Sequence, residues 1–288
     1  MTPQWRPRQR PYGTRGRQRR SVPGAWGQRG IRGKASSIHS PDSINHTVPV
    51  LLCDLDDTLF DHEGATRDAL EHLRGVYQVL TLWSLDELDQ RNRVLLEAIH
   101  LDVLNGRLSI DEARRERFGR LLAQAGMDDP AAAEAMAGAY REKYASNWQP
   151  VPGAIEFLQA VRAAGHHIVI VTNNGVAEQQ LKLVRCGFDV LIDAMVTSEE
   201  AGVSKPARGI FDQALARTGA TPGEAVMLGD AWNADVEGAR AIGVAPVWFN
   251  RARRPSPDPS VTELVSLAPA HEAMAVVIRA ALSPRAAL

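Results

Sequence analysis

Cysteine is scarce: the 288 residues hold two, Cys53 and Cys186. Two cannot build a disulfide framework, and such usage suits a reducing compartment, so the cytoplasm is the expected location. Long apolar runs are also missing. No stretch approaches the roughly 20 residues needed to cross a bilayer, so no membrane span is expected. Acids are nearly absent from residues 1–47, where Asp42 stands alone against nine Arg and one Lys. That segment carries +9, which leaves −10 for residues 48–288 within a net charge of −1. It is rich in Pro, Gly, Gln and Ser and has no apolar periodicity. It cannot bury enough apolar surface to offset chain entropy and is expected to be disordered. The run Arg15 to Arg20 has the charge to touch nucleic acid, but an inert solvated extension is the commoner outcome of such a run, and no nucleic-acid partner is expected beyond it. No apolar stretch follows these arginines, so no secretory signal is expected either.

From Val48 the texture changes. Short apolar runs read as buried strands over Val48–Cys53, His167–Val171, Leu191–Val196, Ala225–Leu228 and Val244–Phe249. Helical segments lie between them, and glycines close these just before the next strand: Gly165, Gly187, Gly219 and Gly243. This alternation predicts an α/β fold, a parallel sheet covered by helices. Residues 63–147 break it with four helical patterns and no strand. The first places Leu70, Leu73, Tyr77 and Leu80 on one face. Ser84 with Glu87, and Ser109 with Glu112, fit capping boxes. Asp129-Pro130 supplies an N-cap and a first-turn proline. The expected organisation is a basic extension (1–47), an α/β core (48–62 and 149–288) and a helical insert (63–148).

Ligands of open α/β sheets bind beyond the carboxyl ends of the strands. The first strand ends Asp54-Leu55-Asp56-Asp57-Thr58, three carboxylates in four residues. They repel one another unless a cation or proton compensates, although a solvated acidic turn is a common alternative. The alternation of a strand puts Asp54 and Asp56 on one side, facing one ligand. Hard oxygen donors suit Mg²⁺ better than Zn²⁺, and no His/Cys cluster competes. The second strand ends Thr172-Asn173-Asn174-Gly175 and leads into a helix, where a hydroxyl and free amides form an anion site. Lys205, in Ser204-Lys205-Pro206, can neutralise phosphate as a point charge. The fourth strand ends Gly229-Asp230 and continues to Asp235, which adds two acids.

Taken together, DLDDTL at 54–59, TNN at 172–174, SKP at 204–206 and GDAWNAD at 229–235 resemble, in order and spacing, the haloacid dehalogenase (HAD) superfamily. The resemblance runs from about Val48 to Asn250. It implies a three-layer Rossmann-like core, and the helical insert is similar to the C1 cap of subfamily IA. Within the superfamily the chain resembles bacterial 5′-nucleotidases and N-acylneuraminate-9-phosphatases. The activity this resemblance implies is Mg²⁺-dependent hydrolysis of a small phosphomonoester, a nucleotide or sugar phosphate, through an aspartyl phosphate. Asp54 would be the nucleophile and Asp56 the acid and base. Mg²⁺ would sit on Asp54, the main-chain carbonyl of Asp56, and Asp230. Asp235 would orient Lys205 or a metal-bound water. Thr172, the Asn173 amide and Lys205 would hold phosphoryl oxygens. Thr58 would stabilise the turn into the cap, and Asp57 would be structural or solvated. Asn174 stands where many relatives have glycine. Asp56 argues against a dehalogenase, which needs no leaving-group acid, whereas superfamily mutases share the whole set. Substrate choice falls to the cap, where Arg67, Arg91, Arg93 and Arg107 are candidate anion contacts. His62, His72 and His100 are expected to be packing or surface residues.

Overall fold

The computed structural model describes residues 49–104 and 107–282. The basic segment and its expected disorder lie outside the described residues.

Six parallel strands form one sheet in the order β3-β2-β1-β4-β5-β6. They are β1 (Val50–Cys53), β2 (Ile168–Thr172), β3 (Ala194–Thr197), β4 (Ala225–Gly229), β5 (Ala245–Phe249) and β6 (Thr262–Leu264). Each of the five expected apolar runs holds a strand. β3 starts later than its run suggests because Asp193 turns its carboxylate onto the Ile168 N–H at 2.8 Å, and the ladder begins at Ala194. β6 went unforeseen. It is three residues long, follows a Pro-rich stretch and pairs only with β5 at the sheet edge, so no apolar run marks it. The four glycines expected to close helices all take positive φ, 72° to 87°.

The interior strands are apolar on both faces, as a doubly covered sheet requires. Leu52, Val169, Val171 and Met227 pack with Ile210 and Phe211 of α7 (Arg208–Ala216). Leu51, Ile168, Ile170 and Val226 are equally buried and, by alternation, point the other way. α5 (Ala154–Ala163) and α8 (Ala270–Leu282) pack on each other, and between them they cover β2, β4 and β5.

Between β1 and α5 the chain makes four long helices: α1 (His62–Val76), α2 (Leu85–Leu104), α3 (Ile110–Gln124) and α4 (Pro130–Ser146). Their starts follow the capping signals. Ser109 and Glu112 form both halves of a capping box. Ser84 Oγ accepts from the Glu87 N–H at 3.2 Å, and Glu87 accepts from the Ser84 N–H at 3.0 Å. Asp129 accepts from the N–H groups of Ala131 and Ala132. The first pattern is shorter than its periodicity implies. α1 stops at Val76, Tyr77 is extended, and Leu80 is buried from a separate 3₁₀ turn, Gln78–Leu82. Gly75 and β-branched Val76 weaken the helix there. The two chain segments joining this helical cap to the sheet run side by side. Asp61 N–H donates to Gln149 O at 3.0 Å and Val151 N–H to Leu59 O at 2.7 Å, with Phe60 opposite Pro150.

Candidate active site

Strand register gathers the site. Cys53 lies beside Ile170 of β2 and Leu228 of β4, and Thr172 beside Thr197 of β3. The residues just past these ends therefore share one rim. Asp54 is 6% exposed, and its Oδ1 lies 2.6 Å from Lys205 Nζ. The same ammonium is 2.7 Å from Asp235 Oδ1. Thr58 Oγ1 donates to Asp54 Oδ2 at 3.3 Å and accepts from the Asp230 N–H at 3.1 Å, which ties the two strand ends together. Carboxylate oxygens of Asp54, Asp230 and Asp235 all lie within 4.8 Å of one another.

That grouping is electrostatically costly. Burial pushes the Asp54 carboxyl up to about 7 against the pull of Lys205, with Asp235 adding to the rise. Burial, then the charges of Asp54, Asp235 and Asp57, push Asp230 up to about 8. Burial opposes the charge on Lys205, but the two flanking carboxylates outweigh it and hold the ammonium above the usual lysine range. Three hard oxygen ligands with a single ammonium among them suit a divalent cation of the Mg²⁺ type.

Asp235 reaches this cluster because residue 229 has no side chain. A Cβ on Gly229 would stand 2.3 Å from Asp235 Cγ. Asp235 is 1% exposed, and its Oδ2 also accepts from the Ala231 N–H at 3.0 Å. The sequence placed Asp235 behind the expected metal ligands; here one of its carboxylate oxygens lies within 4.8 Å of those of Asp54 and Asp230 while it also holds Lys205. Gly229→Ala is expected to push Asp235 off Lys205. It should lower turnover and cost about 1–3 kcal/mol in denaturant unfolding. A variant as active and as stable as wild type would show that this close approach is dispensable.

The Asp56 side chain does not join that cluster. The chain leaves the strand at Cys53, so strict alternation no longer holds. Asp56 turns to Lys182 Nζ (2.7 Å) and Gln179 Nε2 (2.8 Å) on α6 (Val176–Cys186). Burial alone would raise its carboxyl, but Lys182 outweighs it and, with Gln179, holds the group near 2. Asp57 takes φ 62°, a left-handed conformation that Asp tolerates, and its carboxylate accepts from the Glu63 N–H in the first turn of α1. Asn173 serves as scaffolding: its side chain accepts from the Lys205 N–H at 2.7 Å and donates to Lys205 O at 2.8 Å. Only its main-chain amide is left to meet an anion. Asn174 Oδ1 accepts from the Gly175 N–H at the start of α6.

A cavity of about 460 Å³ opens beside the site, lined by Asp57, His62, Thr66, Asn92, Asp230 and Arg251 among others. Of the four cap arginines, only Arg93 lines it, paired with Asp89 at 2.9 Å. Arg67 pairs with Asp86, Arg107 with Asp102, and Arg91 stacks on Trp83. His62 lines the cavity and sits 2.8 Å from the Tyr144 hydroxyl.

The family model of haloacid dehalogenase-like hydrolases matches residues 48–243. The chain belongs to that family. This HAD-like hydrolase is 33% identical over 218 residues to the ribulose-1,5-bisphosphate 5-phosphatase of Halopiger xanaduensis, covering 74% of this chain and 87% of the relative. It is 31% identical to the pyrimidine 5′-nucleotidase YjjG of Escherichia coli, with 71% and 87% covered. Among solved structures, the HAD-hydrolase YfnB of Bacillus subtilis, described as bound to magnesium, superposes with a TM-score of 0.63 at 22% identity, covering 79% of this chain and 98% of that one. That likeness concerns the fold.

Sequence reasoning did not single out Gln179 or Lys182. A signal was present. Gln179, Lys182, Leu183 and Cys186 follow the i, i+3, i+4, i+7 spacing of a buried helix face, and all four are buried, while Leu181 and Val184 on the same helix are exposed. Nor did any motif mark Arg251, which pairs with Asp61 at 2.6 Å and lines the cavity.

Proposed function

We propose that this HAD-like hydrolase is a Mg²⁺-dependent phosphatase of small phosphorylated metabolites, nucleotides or sugar phosphates, acting through an aspartyl phosphate. The observation that carries this reading is the buried Asp54 carboxylate, held by Lys205 and grouped with Asp230 and Asp235 at the rim where Thr172 and the start of α6 also lie. The substrates named for its relatives, a sugar bisphosphate and a pyrimidine nucleotide, fit the same class.

In the first step an Asp54 oxygen attacks phosphorus and the bond to the leaving oxygen breaks, with Asp56, which Lys182 keeps ionised in the resting fold, giving that oxygen a proton it takes up as the phosphomonoester binds. In the second, Asp56 takes a proton from water as the water attacks phosphorus, which frees phosphate and restores Asp54. The Thr172 hydroxyl, the Asn173 N–H and Lys205 bind the phosphoryl oxygens, where charge stabilisation counts most. Asp54, Asp230 and the Asp56 carbonyl would hold Mg²⁺, which when bound supplies positive charge for the attacking and phosphoryl oxygens. Asp235 positions Lys205. No helix among the described residues is long and apolar enough to cross a membrane. The cytoplasmic location proposed for the enzyme rests on its scarce cysteines.

The test is phosphate release from an aryl phosphate, followed by a panel of nucleotide and sugar phosphates. Release should require Mg²⁺, disappear with a chelator and return when the metal is restored. No release with any divalent metal, or transfer to a sugar acceptor in place of water, would overturn the reading.

A further inference from the structure

Helix α6 turns two polar side chains, Gln179 and Lys182, wholly inward; both are 0% exposed. They meet the same carboxylate from adjacent turns. Lys182 Nζ is 2.7 Å from Asp56 Oδ1, and Gln179 Nε2 is 2.8 Å from Asp56 Oδ2. The Gln179 amide also donates to Thr172 Oγ1 at 2.8 Å. Both Asp56 oxygens and the hydroxyl assigned to the phosphoryl group are thus fixed from one helix. The Lys182 ammonium lies over the ring of Phe60 at 4.7 Å and near those of Tyr144 (5.7 Å) and Trp148 (6.0 Å). Besides Asp56, the carboxylate facing it is Glu178, at 3.2 Å, which also pairs with Arg114 of the cap helix α3 at 3.0 Å.

A buried ammonium is expensive, and a methionine would fill the same aromatic box at lower cost in stability. The charge therefore needs a use beyond packing. We propose that Lys182 and Gln179 are positioning residues that set the orientation of the Asp56 carboxylate relative to the phosphoryl pocket at Thr172, so that proton delivery to the leaving group depends on α6. This rests on Asp56 being the acid and base of the reaction.

Leaving-group dependence tests the assignment. With the full chain and Mg²⁺, phosphate release is measured from an alkyl phosphate, whose alkoxide needs a proton, and from a nitrophenyl phosphate, whose phenolate does not. Lys182→Met is expected to lower kcat on the alkyl ester about 100-fold, at the lower edge of what general acid catalysis supplies, and on the aryl ester less than about 10-fold, with KM little changed. Gln179→Met should show the same selectivity at smaller amplitude and keeps the Lys182 ion pairs should Lys182→Met fold poorly. In an Asp56→Asn background, Lys182→Met should add almost nothing. Equal losses on both esters, or full additivity with Asp56→Asn, would overturn the proposal. If Asp56→Asn itself spares the alkyl ester, the acid assignment fails and the positioning role falls with it. That pattern differs from additivity.

Discussion

Asp54→Asn is expected to lower phosphate release by about 10⁴-fold or more and to leave the protein at least as stable as wild type at pH 8. The first half follows from removing the proposed nucleophile, since residues acting as a catalytic unit leave little behind when one is lost. The second half follows from the charge cluster. A carboxyl raised to about 7 in the fold, against 3.8 as its ordinary value, is one the fold prefers protonated. Its contribution to stability is complete below pH 3.8 and is lost as pH rises through 7. At pH 8 an amide of the same shape avoids that penalty, and Lys205 keeps Asp235 as a partner at 2.7 Å. Phosphate release and a pair of melting curves, at pH 5.5 and pH 8, check both halves. A variant that turns over at the wild-type rate would remove Asp54 from the chemistry, and one that melts well below wild type at pH 8 would contradict the electrostatics.

Lys205→Met should produce the largest change in stability. Lys205 is 5% exposed and its ammonium bridges two buried carboxylates, so its removal leaves them facing each other without a cation. Breaking a buried ion pair from one side costs about 3–5 kcal/mol. The loss should depend on pH in a fixed direction. Without the lysine the folded-state pKa of Asp54 climbs further, while the unfolded value stays put. The stability tied to this group is then lost as pH rises through that higher value, and the gap to wild type widens from pH 5.5 to pH 8. Denaturant unfolding at the two pH values measures it. A gap that stays constant or narrows would mean that the lysine acts through packing of its stem.

The sheet was legible because buried parallel strands are continuous apolar runs, and those at 50–53, 168–172 and 225–229 need no wider context to be recognised. The strand-end site residues were legible because a register of parallel strands brings their C-terminal ends together, so Asp54, Thr172, Lys205 and Asp230 could be placed on one rim from chain order alone. The side-chain direction of Asp56 was not. Strand alternation stops at Cys53, and the partners that turn Asp56 away sit 123 and 126 residues further on. Lys182 and Gln179 were not legible either, because polarity is normally a sign of exposure and only their shared stripe with Leu183 and Cys186 says otherwise. The nearness of Asp235 to Asp54 depends on the missing side chain at Gly229, a steric fact that no motif spells out.

The neck formed by residues 59–61 and 149–151 also bears on how the chain finds its fold. β1 occupies the middle of the sheet, yet its neighbours β2 and β4 come late in the sequence, and the closure entropy of joining such distant segments must be met before their pairing returns anything. Zipping the two linkers together takes the whole of 62–148 out of that loop. β1 and β2 then become near neighbours along the effective contour, and the cap helices can assemble as a local knot of short-range contacts hanging from a closed stem.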